Sequence, residues 1–128
     1  MPWTKAYAAR TLDRVRRLCL ALPEATERES HGSPTFFVRA KPSFVSFVDD
    51  HHGDGRLAIW CAAPPGAQDV LLAADPDRFF RPPYVGTRGW IGMRLDGDPD
   101  WAHVAAVVDE AYRTVAPAKL LARLEAHA

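Results

Sequence analysis

The stretch that decides the fold is Ser43–Cys61, SFVSFVDDHHGDGRLAIWC. Its first part, SFVSFVDD (43–50), places Phe44, Ser46 and Val48 on one side of an extended chain and Val45, Phe47 and Asp49 on the other. HHGDG reads as a turn, because glycine supplies positive φ and Asp54 favours turns. RLAIWC (56–61) is an apolar run of strand length. Strand, glycine turn and strand together predict an antiparallel hairpin.

The neighbouring segments extend that hairpin into a sheet. Upstream, PTFFVRAK (34–41) is rich in β-formers, and ATERESHG (25–32) alternates weakly, as an edge strand does. Downstream, Pro64-Pro65 opens a helix over Gly66–Ala74 with the stripe Ala67, Val70, Leu71 and Ala74. Asp75-Pro76 would cap a short turn over Asp77–Phe80. RGWIGMRL (88–95) is the last strand, with Ile91, Met93 and Leu95 inward and Trp90, Gly92 and Arg94 outward.

Helices flank the strands on both sides. Thr11 is a suitable N-cap, and Leu12, Val15, Cys19 and Leu22 form one apolar stripe that Pro23 ends. Residues 1–8 read as a loose N-terminal arm, with Trp3 and Tyr7 available to pin it to the body. Asp98-Pro99 marks the start of a helix bearing Trp101, Val104, Val108, Ala111 and Val115. Pro117 starts a short final helix with Leu120, Leu121 and Leu124. The expected fold class is α+β, an antiparallel β-sheet with helices packed mainly on one face, in a single domain over residues 1–128. Strands that follow one another without helical crossovers argue against a parallel nucleotide-binding sheet.

Composition narrows the function classes. Lys plus Arg and Asp plus Glu number 16 each, so the formal net charge is zero. A protein dedicated to phosphate neutralisation usually carries a basic excess, so any basic patch here must be local. Cys19 and Cys61 lack CxxC spacing and read as buried free thiols in a reducing, cytoplasmic setting. The N-terminus has no apolar signal region, and no run of 18 apolar residues offers a membrane span.

Several blocks carry a family resemblance: RLCLALPEATE, HGSPTFFVRAKPSF, LAIWC, PYVGTRGWIGMRLDG and VVDEAYRTVAP. In order and spacing, from about Leu12 to Pro117, the chain resembles the MmcQ/YjbR family of small bacterial domains. The most specific parts are 31–38 and 83–90. Family members often have Gly-Lys where this chain has Ala40-Lys41. The resemblance implies a two-layer YjbR-like architecture, similar to type III secretion chaperones and CyaY-like proteins. It also implies DNA binding without catalytic activity, a label that rests on likeness of fold.

The residues leave several sites open. Arg39, Lys41, Arg81 and Arg88 are the candidate phosphate contacts if the partner is DNA. Trp60, Tyr84, Trp90 and Arg94 are the candidate wall of a ligand pocket or surface groove. The plainer reading makes these aromatics core and these arginines solvated strand edges. Asp49, Asp50, His51, His52 and Asp54 carry metal-ligating groups, but neighbours on a strand diverge, and a solvated hairpin tip is the expectation. His31 is expected to hold the turn before Pro34, His103 to be exposed and His127 to fray. GTRGWIG lacks the GxGxxG pattern and leads into a strand, so it is no phosphate loop. No catalytic residue, metal or cofactor is expected. The alternatives to DNA binding are a protein-interaction adaptor, as monomer or homodimer, and a domain that binds a small anionic ligand.

Overall fold

The hairpin at 43–61 forms the middle of the sheet. The computed structural model describes residues 2–126, so Met1 of the expected arm and His127 lie outside the described residues. The strands are β1 (Ala25–Ser30), β2 (Ser33–Val38), β3 (Ser43–Asp49), β4 (Leu57–Cys61), β5 (Phe79–Phe80) and β6 (Ile91–Arg94). The helices are α1 (Lys5–Leu20), α2 (Ala67–Ala74), α3 (Trp101–Val115) and α4 (Ala118–Ala126). One antiparallel sheet runs β1-β2-β3-β4-β6-β5, which is the α+β class expected.

Two rows of paired residues define the faces of this sheet. Glu27, Phe36, Val45, Cys61 and Ile91 oppose one another in turn across β1, β2, β3, β4 and β6. This is the helix-covered face. Phe36, Val45, Cys61 and Ile91 are buried, and Arg16 of α1 grips Glu27 with Nε and Nη2 at 2.6 and 2.8 Å. One step along, Arg28, Thr35, Ser46, Trp60, Gly92 and Phe80 form the opposite row. Among the described residues no α-helix crosses that row, and it becomes the floor of the site described below.

Several boundaries differ from the sequence reading, each for a local reason. Helix α1 begins at Lys5, because Thr4 accepts the Tyr7 N–H at 3.0 Å. Thr11 sits inside the helix, is buried, and donates back to the Tyr7 carbonyl. Residues 2–8 are pinned to the body through the two side chains the sequence offered for it, Trp3 and Tyr7. Trp3 is buried with its indole donating to Asp49, and the Tyr7 hydroxyl donates to the Leu95 carbonyl.

Strand β2 stops at Val38, short of the expected Lys41, because Arg39 adopts φ 58°. Between the pairs Phe36↔Val45 and Phe37↔Ser43, strand β3 takes two steps against one. Phe44 is the extra residue. It turns to the helix side, where it packs edge-on to Tyr112 of α3 at 5.5 Å, rather than sharing a face with Ser46 and Val48. Tyr112 is fully buried and satisfies its hydroxyl on the Pro23 carbonyl at 2.7 Å. Each of these rings contributes about 1.5–3 kcal/mol by burial.

The expected stripe on α2 is displaced. Val70 is exposed, while Gln68 is buried. The expected turn at Asp77–Phe80 ends in the short strand β5. The last strand is shorter than expected at both ends: Val85–Arg88 form a 3₁₀ turn and regular pairing begins at Ile91. Ile91, Met93 and Leu95 are buried, as expected of the inward face. Helix α3 is capped by Asp100, which accepts the Ala102 N–H, rather than by Asp98. Among the described residues no helix is long and apolar enough to cross a membrane.

Candidate ligand site on the open sheet face

A cavity of about 460 Å³ lies on the face opposite helices α1 and α3. Its floor is Ser46 and Val48 of β3 with Trp60 of β4. One wall is the β1–β2 turn, with His31 and Ser33. Another is the β3–β4 tip, with His51 and His52. The third is the loop before β6, with Tyr84 and Val85. A volume of this size suits a small planar molecule.

The antiparallel meander explains why these residues meet. The β1–β2 turn and the β3–β4 turn necessarily fall at the same end of the sheet. His31 and Gly32, with φ 53° and 81°, occupy the two central positions of the tight β1–β2 turn. His51 and His52 occupy a 3₁₀ turn entered through Asp50 at φ 54°. The His51 ring stands 5.0 Å from Trp60, 4.1 Å from His52 and 5.9 Å from Tyr84.

Gln68 anchors the third wall. Its side-chain amide donates to the Gly86 and Trp90 carbonyls at 2.9 and 2.6 Å, and its oxygen accepts from Arg81 at 2.9 Å. Arg81 lies so close to Gly86 that a Cβ there would sit 2.8 Å from its Cγ. The loop RPPYVGTRGW is thus stapled from within. It holds Tyr84 at φ 64° and ψ −71°, a strained γ-turn closed by Val85 N–H on the Pro83 carbonyl at 2.7 Å. Tyr84 is nevertheless 70% exposed.

Strain concentrates here. Of the seven non-glycine residues with positive φ among those described, His31, His52 and Tyr84 line the cavity and Asp50 adjoins it. Such conformations cost about 1–3 kcal/mol each and cluster at ligand sites. Two nitrogens add to that energy: Trp60 Nε1 and His51 Nε2 are buried without any hydrogen-bond partner.

The residues expected from sequence divide sharply. Trp60 and Tyr84 join the cavity, whereas Trp90 and Arg94 do not. Trp90 is buried beneath Arg88, whose guanidinium lies 5.4 Å over the ring. Arg94 is tied to Asp96 at 2.9 Å and to the Gly55 carbonyl. Three of the four candidate phosphate contacts have a partner within the chain. Arg39 pairs with Glu24 at 2.8 Å, and that contact holds the glutamate carboxyl below its ordinary range. Arg81 is engaged by Gln68 and Arg88 by Trp90, while Lys41 stands exposed in the β2–β3 turn.

The acidic groups near the histidines are also engaged. Asp49 accepts from Trp3, Asp50 from the Gly55 N–H, and Asp54 from the Arg56 N–H. Among the described residues no group of three or more His, Cys, Asp or Glu side chains is arranged to hold a metal. The Ser46 hydroxyl is shared with Thr35 at 3.2 Å, not with a histidine. His31, Ser33, Ser46, Val48, His51, His52 and Val85 were not expected at a site. The signal that finds the histidines is topological: both clusters sit in turns at one end of a meander.

The family model YjbR matches residues 20–114. Among solved structures, protein DR2400 of Deinococcus radiodurans, a DUF419 domain, superposes with a TM-score of 0.65 at 17% identity, covering 79% of this chain and 75% of that one. That is a likeness of fold. No curated protein matches the chain.

Proposed function

The chain belongs to the YjbR family, and from that premise we propose that it is a binding module whose open-face cavity takes a small planar ligand. It carries out no chemistry of its own. The observation that carries this reading is the coincidence of an aromatic, imidazole-lined cavity with three strained residues and two unpartnered buried nitrogens. Among the described residues no Arg, Lys, Asp or Glu lines the cavity. That composition favours a ligand that is planar and polar but uncharged over the arginine-held anion expected from sequence.

A thermal-shift screen of neutral and anionic planar compounds tests the reading. Ligand at 100 times its dissociation constant adds about 2.7 kcal/mol of stability, or about 10 °C for a chain of this size. The shift should shrink in Trp60→Phe and Tyr84→Ala. The reading fails if no compound raises the midpoint, or if both variants respond as the parent does.

Nucleic-acid binding is a second reading, and a different surface favours it. Arg10, Arg14 and Arg17 follow one another along α1 and line a cavity of about 450 Å³, with Arg14 stacked 4.2 Å over Trp101. Among the described residues none of the three is in an ion pair, in contrast to Arg16, Arg39, Arg56, Arg94, Arg113 and Arg123. On this reading duplex DNA binds weakly at low salt, and the triple alanine variant flattens the salt dependence. Identical titrations of parent and variant would remove it. The adaptor alternative has less support, because the large apolar side chains left exposed, Leu20, Val70 and Tyr84, lie on three separate elements.

A further inference from the structure

The chemistry of the ligand is written in the two unpartnered nitrogens. Trp60 is only 8% exposed, and its indole nitrogen is a donor and nothing else. His51 Nε2 donates or accepts according to where the ring proton sits. Orphaned buried donors are rarer than orphaned acceptors, and a second donor packed beside the indole N–H would leave two of them. Only Nε2 of His51 is buried without a partner; Nδ1 is not. The tautomer that avoids a second orphaned donor carries its proton on Nδ1 and leaves a lone pair on Nε2.

The two rings stand 5.0 Å apart at 74°. Once these rings part, the indole N–H and the imidazole lone pair offer one donor and one acceptor, the complement of a carbonyl next to an N–H. The aromatic sides of the cavity, Trp60, Tyr84 and His52, suit a flat ring bearing that edge. We propose that the cavity recognises a planar lactam, its C=O accepting from Trp60 Nε1 and its N–H donating to His51 Nε2. This rests on the reading of the cavity as a ligand site. Water reaches neither nitrogen, so admitting the ring requires the His51 imidazole to roll off the indole. No hydrogen bond at His51 Nε2 holds the ring in place against that motion. Tyr84, exposed and 5.9 Å away, then closes over the opposite edge.

Calorimetric titration of the full chain with 2-quinolone, N-methyl-2-quinolone and 2-naphthoate tests the proposal, beside the thermal-shift panel. The lactam should bind, and N-methylation, which removes the donor without changing the ring, should weaken binding by about tenfold. Trp60→Phe should weaken the lactam by a similar factor and narrow the gap to its N-methyl analogue. Because the first comparison changes only the ligand, it holds even if the variant folds poorly. Equal binding of the lactam and its N-methyl analogue overturns the proposal, as does preference for naphthoate. So does failure of 2-quinolone where other rings in the panel bind. In each of those cases the cavity remains a ligand site. Absence of binding by every ring, in titration and panel alike, overturns the reading of the cavity itself.

Discussion

Gly92→Ala should destabilise the protein, and the structure says by what route. Gly92 faces Phe80 across the β5–β6 pair and lies beside Trp60 in the open-face row. A Cβ at 92 would stand 2.7 Å from Phe80 Cε1 and closer still to Cζ and Cε2. The ring cannot yield easily, because it is 8% exposed and Arg56 lies 4.0 Å over its outer side. Overpacking of this kind costs about 1–3 kcal/mol. Each kcal/mol moves the thermal midpoint of a chain this size by about 4 °C, so the expected drop is about 4–12 °C.

The sharper test is the double variant. Removing the ring with Phe80→Ala costs about 3–5 kcal/mol, which a domain of ordinary stability, about 5–15 kcal/mol, can survive. In that background the clash is gone. Gly92→Ala should then stabilise by about 0.5–1 kcal/mol, the usual gain from replacing a strand glycine. Urea denaturation of the four proteins reads the sign change directly. If Gly92→Ala destabilises equally in both backgrounds, the close approach of Phe80 is not what that glycine serves.

Other outcomes follow from single contacts. Thr4→Ala should lower stability by about 1 kcal/mol through loss of the α1 cap, measured as a fall in the urea midpoint. His31→Asn should raise stability by up to about 1 kcal/mol, since asparagine tolerates the left-handed turn position better, while weakening any ligand that touches the imidazole. Burial pushes the Cys19 and Cys61 thiols up, well above their ordinary range. The folded state thus keeps protons that the unfolded chain releases. The stability tied to the two thiols is whole below the unfolded-state thiol pKa and declines as pH rises from there towards the folded-state values. Denaturation midpoints across that range should fall, and a Cys19→Ala/Cys61→Ala pair should fall less steeply.

The fold was legible where one local pattern dominated. The 43–61 hairpin and the inward set Ile91, Met93 and Leu95 follow from alternation alone. The reading failed where a nonlocal partner decided the outcome. A bulge, invisible in the alternation of β3, sends Phe44 to the helices. Gln68 is polar and therefore lay off the expected stripe of α2, yet it is buried because two carbonyls and a guanidinium converge on it. At the site, Trp60 and Tyr84 were legible as sticky aromatics. Arg94 looked like their neighbour because it shares a strand face with Trp90, but Asp96, two residues on, takes its guanidinium. The histidines read as turn residues, and so they are. Their second property, that three of them face one cavity, follows only once the turns are placed at one end of the sheet.

A small planar ligand seated against Trp60 has its readout in the indole N–H signals. The chain has four tryptophans, and their side-chain N–H resonances are separately observable in a ¹⁵N–¹H correlation spectrum. Trp3 already donates to Asp49, Trp90 is buried under Arg88, and Trp101 is only half-buried beneath Arg14; among the described residues Trp60 alone has a buried indole N–H without a partner. Titration with a ligand that raises the thermal midpoint should move the Trp60 signal strongly and to saturation, with the other three nearly still. A stationary Trp60 signal would rule out a ligand at Trp60, and a shift confined to Trp101 would move the binding site to the arginine face of α1.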